Sequence, residues 1–243
     1  GVRTAGRPEK VDDRTVFEAA SMSKPVFSYA VLRLVEEGRF DLDRPLDSYL
    51  PEPYLPDQPL AERITARMVL LHRTGLPNWR EGGWRKGGPL KVLHEPGTRY
   101  TYSGEGYTYL QTAIAHLTGQ SVDAWIEQAL LKPLNMARRS YIWQKSFDDN
   151  YAGGHDKDGK LKESRRFYDR GNAAFSLYTT PTDYALFLIE MMKPDRSASH
   201  SLKAETIERM TTLQVEPEEG DESSRRSLGW MVAPPEKGGW VCH

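Results

Sequence analysis

Ser21-Met22-Ser23-Lys24 is the one place in the chain where a serine is followed three residues later by a lysine. Phe27, Ala30, Val31, Leu34 and Val35 recur behind it at helical spacing and Gly38 closes the run, so the pattern predicts a helix beginning at this motif. Pro25 falls in the first turn, where its missing N–H sacrifices no intrahelical bond. On one helix face the Lys24 amine can reach the Ser21 hydroxyl. A hydroxyl at a helix N-terminus also sits where the backbone field favours developing negative charge. That is the chemistry of a serine nucleophile activated without histidine. The same four residues also read as an ordinary first turn with a solvated lysine.

The elements that must position these groups follow from periodicity and punctuation. Thr65 can cap a helix over 66–71, before the turn at Thr74-Gly75-Leu76-Pro77. Leu110, Ile114 and Leu117 mark an amphipathic helix stopped by Gly119. Ser121 can cap another, with Trp125, Ile126, Ala129 and Leu130 inward and Pro133 beyond its end. Thr180-Pro181 is a cap followed by a first-turn proline, with Tyr184, Phe187, Leu188 and Met191 on one side. Residues 201–214 read as a further helix, and 228–232 and 240–242 as strands flanking Pro234-Pro235-Glu236-Lys237-Gly238-Gly239. The polar, charged segment 145–170 reads as an irregular, solvated excursion.

A chain of 243 residues can hold one large or two small cores. With 38 % hydrophobic and 28 % charged residues it reads as a folded, globular chain. A net charge of −1 offers no handle for nucleic acid or an anionic membrane. No apolar run approaches the roughly 18 residues of a transmembrane helix. The lone cysteine, Cys242, excludes an internal disulfide and a cysteine-based zinc site. There is no Gly-x-Ser-x-Gly elbow, no His-Glu-x-x-His and no Gly-x-x-x-x-Gly-Lys, so α/β-hydrolase, zinc peptidase and nucleotide hydrolase are unsupported. The first residue is Gly1 rather than Met, which leaves the compartment open.

A second motif, Tyr102-Ser103-Gly104-Glu105-Gly106-Tyr107, precedes the helix stopped by Gly119. Around it and Ser21–Lys24 the chain resembles the serine β-lactamase and penicillin-recognising superfamily. The likeness is to the branch of class C β-lactamases, D-stereospecific peptidases and β-lactamase-like carboxylesterases. It is carried by Thr15-Val16-Phe17-Glu18-Ala19-Ala20-Ser21-Met22-Ser23-Lys24, Val35-Glu36-Glu37-Gly38-Arg39-Phe40-Asp41-Leu42-Asp43 and Leu71-His72-Arg73-Thr74-Gly75-Leu76-Pro77. Pro96-Gly97-Thr98-Arg99-Tyr100-Thr101-Tyr102-Ser103, Lys132-Pro133-Leu134-Asn135-Met136 and Thr179-Thr180-Pro181-Thr182-Asp183-Tyr184-Ala185 follow in the family's order. Two departures limit what carries over. Gly104 takes the place of the asparagine in the family's Tyr-x-Asn, whose amide helps hold the acylamide group of a β-lactam. The third motif, Lys/His-x-Gly on a strand edge, stops at His243, so the chain is expected to be a fragment.

The resemblance implies an α+β fold of the β-lactamase/transpeptidase type, an antiparallel sheet flanked by helices plus a helical domain. Residues 1–243 would form one catalytic domain truncated at both ends, with a short, incomplete sheet. Its mainly helical subdomain would span about 45–200, and its α/β subdomain 1–44 and 201–243. It also implies roles. Ser21 would be the nucleophile forming an acyl-enzyme, and its backbone N–H half of an oxyanion hole. Lys24 at an ordinary pKa is only about 0.04 % neutral at pH 7, so burial or a nearby cation must lower that pKa. Tyr102 is the second candidate base, usable only if a lysine stabilises its phenolate. The three form a coupled set in which placing the proton is a choice of description. His243 would open the substrate-side strand and face the cleft.

Other residues stay with plainer readings. His72 ends a helix before a turn and reads as structural. His94, His116, His155 and His200 have no partner at ligand spacing. Trp79, Trp84 and the glycines Gly82, Gly83, Gly87 and Gly88 form either a wall over the site or an ordinary loop. The reading is a serine hydrolase acting on a small-molecule ester, amide or β-lactam, with no cofactor, no metal and no nucleic-acid partner. Gly104 favours an esterase or peptidase over a dedicated β-lactamase, with a true β-lactamase or DD-peptidase as the alternative. A non-catalytic protein that binds a cell-wall ligand is the rival from another class. The resemblance leans slightly to an extracytoplasmic location and leaves the oligomeric state open.

Overall fold

Helix α1 (Ser23–Glu36) is apolar nearly all round its axis and lies at the centre of the molecule, with Ser23 to Leu32 and Leu34 buried. The structure is a computed structural model and describes residues 1–162, 167–195, 197–239 and 241–242. Strand β1 (Phe17–Glu18) and the 3₁₀ turn Ala20–Met22 lead into α1. Then come α2 (Ala66–Leu70), α3 (Gly83–Lys86), α4 (Gly104–Thr118) and α5 (Val122–Ile126). Strand β2 (Tyr178–Thr179), α6 (Pro181–Met192), α7 (Ala204–Thr211), β3 (Met231–Val232) and β4 (Val241–Cys242) complete the order.

Phe27 of α1 packs edge-on against Trp125 of α5 and tilts against Tyr107 of α4, while Tyr29 meets Phe187 of α6. One cluster of buried residues runs through all these helices. The sheet is as short as expected: β1 pairs antiparallel with β2 (Phe17 opposite Thr179), and β3 with β4 (Met231 opposite Cys242). Among the described residues no helix is long and apolar enough to cross a membrane.

Two of the three predicted caps form, at Thr65 and Thr180, and Ser103 adds one that the sequence reading did not name. The side chains of Thr65, Ser103 and Thr180 accept from the backbone N–H of Met68, Gly106 and Asp183 at 3.3, 2.8 and 3.0 Å. Ser121 stands at the start of α5 but makes no capping bond with its side chain. The helix predicted to begin at the Ser21 motif begins instead at Ser23, because a 3₁₀ turn intervenes. The helix expected over 201–214 is confined to α7, and the strand over 228–232 to β3.

Leu188 was expected inward and is exposed. The inward stripe of α6 is Tyr184, Phe187, Met191 and, unexpectedly, Glu190, whose carboxylate accepts from the Tyr29 hydroxyl at 2.9 Å. Segment 145–170 is not simply solvated. Phe147, Tyr151 and Tyr168 pack with Val16 and Tyr178 in a second small core.

The stretch before β3 presses on α1 from the other side. Gly229 has a φ of 93°, and a Cβ there would stand 2.3 Å from Ser28 Oγ. Only glycine allows both the turn and that approach. The contact carries Arg226, three residues earlier, to the edge of the site described next.

Candidate active site

Ser21 is the middle residue of the 3₁₀ turn between β1 and α1. The preceding Ala20 is left-handed, with a φ of 47°, a region that residues with a Cβ rarely occupy. Such strain costs on the order of 1 kcal/mol or more and persists only where the surroundings hold it. Here the Ser23 hydroxyl donates to the Ala20 carbonyl at 2.6 Å, and the Ala19 N–H donates to Leu177 O at 2.8 Å. Together they turn the chain from strand to helix, with Ser21 half-buried at the turn.

Lys24 is 1 % exposed. Its ammonium has three N–H bonds, which meet Ser21 Oγ at 3.2 Å, the Tyr102 hydroxyl oxygen at 2.7 Å and the Ala174 carbonyl at 2.8 Å. The Tyr102 hydroxyl in turn donates to Ser21 Oγ at 2.9 Å. The structure thus brings Ser21, Lys24 and Tyr102 into one closed hydrogen-bonded triangle. Burial lowers the Lys24 pKa from 10.5 to about 7, with the Arg226 guanidinium acting in the same direction. Burial raises the Tyr102 phenol, against the opposing pull of its Ser21 hydrogen bond and of Arg226. Of the two candidate bases the amine is therefore the one moved toward neutrality near pH 7, while the phenol keeps its proton. A neutral Lys24 can still donate to Ala174 and Tyr102 while accepting the hydrogen of Ser21.

Tyr102 is held from both sides by His72, which is buried and left-handed (φ 56°). Its carbonyl accepts from Thr101 N–H at 2.8 Å and its Nδ1 accepts from Ser103 N–H at 3.0 Å. Its ring lies 4.3 Å from the Tyr102 ring at 30°. Accepting at Nδ1 requires that nitrogen to be unprotonated. The structural reading of His72 thus gains a specific content: it orients the tyrosine.

Gly104 is buried beneath the indole of Trp79. A Cβ at Gly104 would lie 2.4, 2.5 and 2.9 Å from three carbons of that ring, so no side chain fits at the position expected to carry an asparagine. His243, together with Trp240, lies outside the described residues. Among the described residues no group of three or more His, Cys, Asp or Glu side chains is arranged to hold a metal ion.

The beta-lactamase family profile matches residues 1–243, the whole of the chain. The chain belongs to the beta-lactamase family. It is 26 % identical over 200 residues to Protein flp of Staphylococcus aureus (strain NCTC 8325 / PS 47), covering 76 % of this chain and 39 % of that protein. It is 29 % identical over 180 residues to N-acetylmuramyl-L-alanine amidase of Bacillus subtilis (strain 168), covering 65 % of this chain and 40 % of the amidase. Among solved structures, EstCE1, a hydrolase with promiscuous acyltransferase activity, superposes with a TM-score of 0.79 at 18 % identity, over 96 % of this chain and 73 % of that one. The first bears on relationship and the last on fold, which is of the β-lactamase/transpeptidase type. The chain spans about two fifths of the length of the curated relatives it matches.

Within this beta-lactamase-family site, some members were not legible in the sequence. Arg226 is buried, donates to the Tyr100 hydroxyl at 2.6 Å and to Ser223 O at 2.8 Å, and lies 5.8 Å from the Tyr102 ring centre. Among the described residues no carboxylate pairs with it. The Ala174 carbonyl is a backbone group and carries no residue-type signal at all. The contact between Trp79 and Gly104 had a partial signal, a glycine in the asparagine place and a tryptophan-bearing loop upstream, but nothing in one dimension joins them.

Proposed function

We propose that this chain carries the nucleophile and base of a serine hydrolase that transfers the acyl group of an ester or amide through an acyl-enzyme. The observation that supports this best is the triangle of Ser21, Lys24 and Tyr102, closed at 2.7 to 3.2 Å around an amine that burial holds at about 7. In this reading neutral Lys24 takes the Ser21 proton as Oγ attacks the carbonyl carbon. Tyr102, hydrogen-bonded to both, passes a proton to the leaving oxygen or nitrogen and is reprotonated by Lys24. Water then attacks the acyl carbon and gives up its proton to the same pair, which returns a proton to Ser21 Oγ as the acyl–oxygen bond breaks and the acid leaves. The Ser21 N–H belongs to the 3₁₀ turn that leads into α1, and an N–H ahead of a helix is suited to donate to the oxyanion.

Within this chemistry an ester is favoured over a β-lactam. The position that would present an amide to an acylamide side chain is Gly104, and Trp79 covers it with apolar surface. The test is mass spectrometry after exposure to a fluorophosphonate. The wild-type protein should gain one adduct, mapped to Ser21, and Ser21→Ala should gain none while keeping its fold. An adduct that survives in Ser21→Ala refutes the assignment.

A further inference from the structure

The loop that carries Trp79 is clamped to the first turn of α4 on both sides of that residue. Before it, the Asn78 carbonyl accepts from Gly104 N–H at 3.1 Å and Glu105 N–H at 3.0 Å, and Asn78 Oδ1 accepts from Gly104 N–H at 3.0 Å. After it, the Arg80 guanidinium reaches the fully buried Glu105 carboxylate through Nε at 3.0 Å and Nη2 at 2.7 Å, and Arg80 N–H adds a bond to the second oxygen at 3.1 Å. A fork held to a buried carboxylate is among the stronger side-chain constraints available. The backbone on both sides of Trp79 is therefore held, and the seat of its indole is the bare backbone of Gly104.

From that seat Trp79 continues into other rings. Its ring centre is 5.2 Å from Phe175, edge to face, and Phe175 is 5.4 Å from Trp84. Trp79, Phe175 and Trp84 pack against the two cores yet stay partly exposed, so they present an aromatic wall at the surface, with the Arg85 and Arg170 guanidiniums 5.4 and 5.7 Å from the Trp84 ring. The wall is tied to the reactive triangle along the chain at two points. Gly104 is two residues after Tyr102, and Phe175 follows Ala174, whose carbonyl holds Lys24 Nζ at 2.8 Å.

We propose that Trp79, Phe175 and Trp84 form a subsite for an aromatic group carried beside the scissile bond, which makes aryl-bearing carboxylic esters the substrate class of this site. The inference rests on the serine-hydrolase reading and deepens it. A partly exposed aromatic wall gains by stacking and by removing apolar area from water when a ring docks. The Trp79 ring on Gly104 presents apolar carbons where an asparagine would present its amide. Trp79 thus does two things at once: it fills the space that an asparagine side chain at position 104 would need, and it replaces a polar contact by an apolar one.

The experiment compares ethyl acetate, ethyl phenylacetate and benzyl acetate by pH-stat, with fluorophosphonate labelling of wild-type Ser21 as a separate readout. Wild-type kcat/KM should be higher for at least one aryl ester than for ethyl acetate. That aryl-to-ethyl ratio should fall about tenfold in Trp79→Ala and be largely retained in Trp79→Phe, which keeps an apolar ring and a milder change of shape. A wild-type enzyme that prefers ethyl acetate, or a ratio unchanged in folded Trp79→Ala, overturns the subsite. If wild-type Ser21 is labelled in that case, the hydrolase reading stands and only the subsite falls. If wild-type Ser21 is not labelled, the hydrolase reading falls and takes the subsite with it.

Discussion

Replacing Lys24 by Met converts the burial of this amine into a measurable pH dependence of stability. Lys24 has a pKa of 10.5 in the unfolded chain and about 7 in the fold, chiefly because burial penalises its charge. Between those two values the unfolded chain binds more protons than the folded one, so stability rises with pH through that window and levels off above it. One unit of pKa corresponds to about 1.4 kcal/mol, so the wild-type protein should gain about 2–3 kcal/mol between roughly pH 7.5 and pH 9.5 from this group alone. In Lys24→Met that contribution is absent. The variant also loses the bonds to Ala174, Tyr102 and Ser21, but that loss is the same at every pH and shifts the curve without tilting it. Urea denaturation of both proteins at several values across this range isolates Lys24, since the other titrating groups largely cancel in the difference. The wild-type-minus-variant stability should climb toward high pH. A difference that stays constant to within about 0.5 kcal/mol would mean that the amine remains protonated in the fold, and the argument for Lys24 as base would collapse with it.

The same triangle yields three further expectations. Lys24→Met and Tyr102→Phe should each remove most of the Ser21 acylation rate, and the double variant little more, as for residues that act as a unit; stopped-flow release of p-nitrophenol reads this, and fully additive losses would show that they work independently. The acylation rate should rise with pH around about 7, the value burial sets for Lys24. Arg226→Met removes the cation that assists this depression and should move the rising limb to higher pH. An unmoved limb would leave burial as the whole cause.

Much of the local structure was present in the order of the residues. Thr65 and Thr180 cap the helices they precede because a side-chain oxygen in a short polar residue reaches the N–H groups two or three positions on, a purely local geometry. Ser21 and Lys24 are adjacent for the same kind of reason, one turn of backbone, and the recurrence of apolar residues behind them marked α1 as a helix, though not how deeply it is buried. The family motifs added Tyr102, which local spacing could never have joined to Ser21. The lapses were local as well: Leu188 fits the inward pattern of α6 as well as Glu190 does not, and the hydroxyl of Tyr29 reverses that choice.

What only the tertiary structure decided is the electrostatic and steric state of the site. Whether Lys24 is a base depends on how completely α1, α4 and the stretch through Ala174 exclude water from it. Solvation is a property of all the neighbours together and is not carried by any residue type. Arg226 acts on Lys24 across about 200 residues of chain, and Gly229, three residues after it, closes against Ser28 of α1. Gly104 read in sequence as a missing asparagine, and in the fold it is the floor beneath Trp79. Sequence determines which groups are present and how near neighbours on one element stand. The dielectric around a charge and the volume above a backbone are set by segments far apart in the chain, and they exist only once those segments are packed.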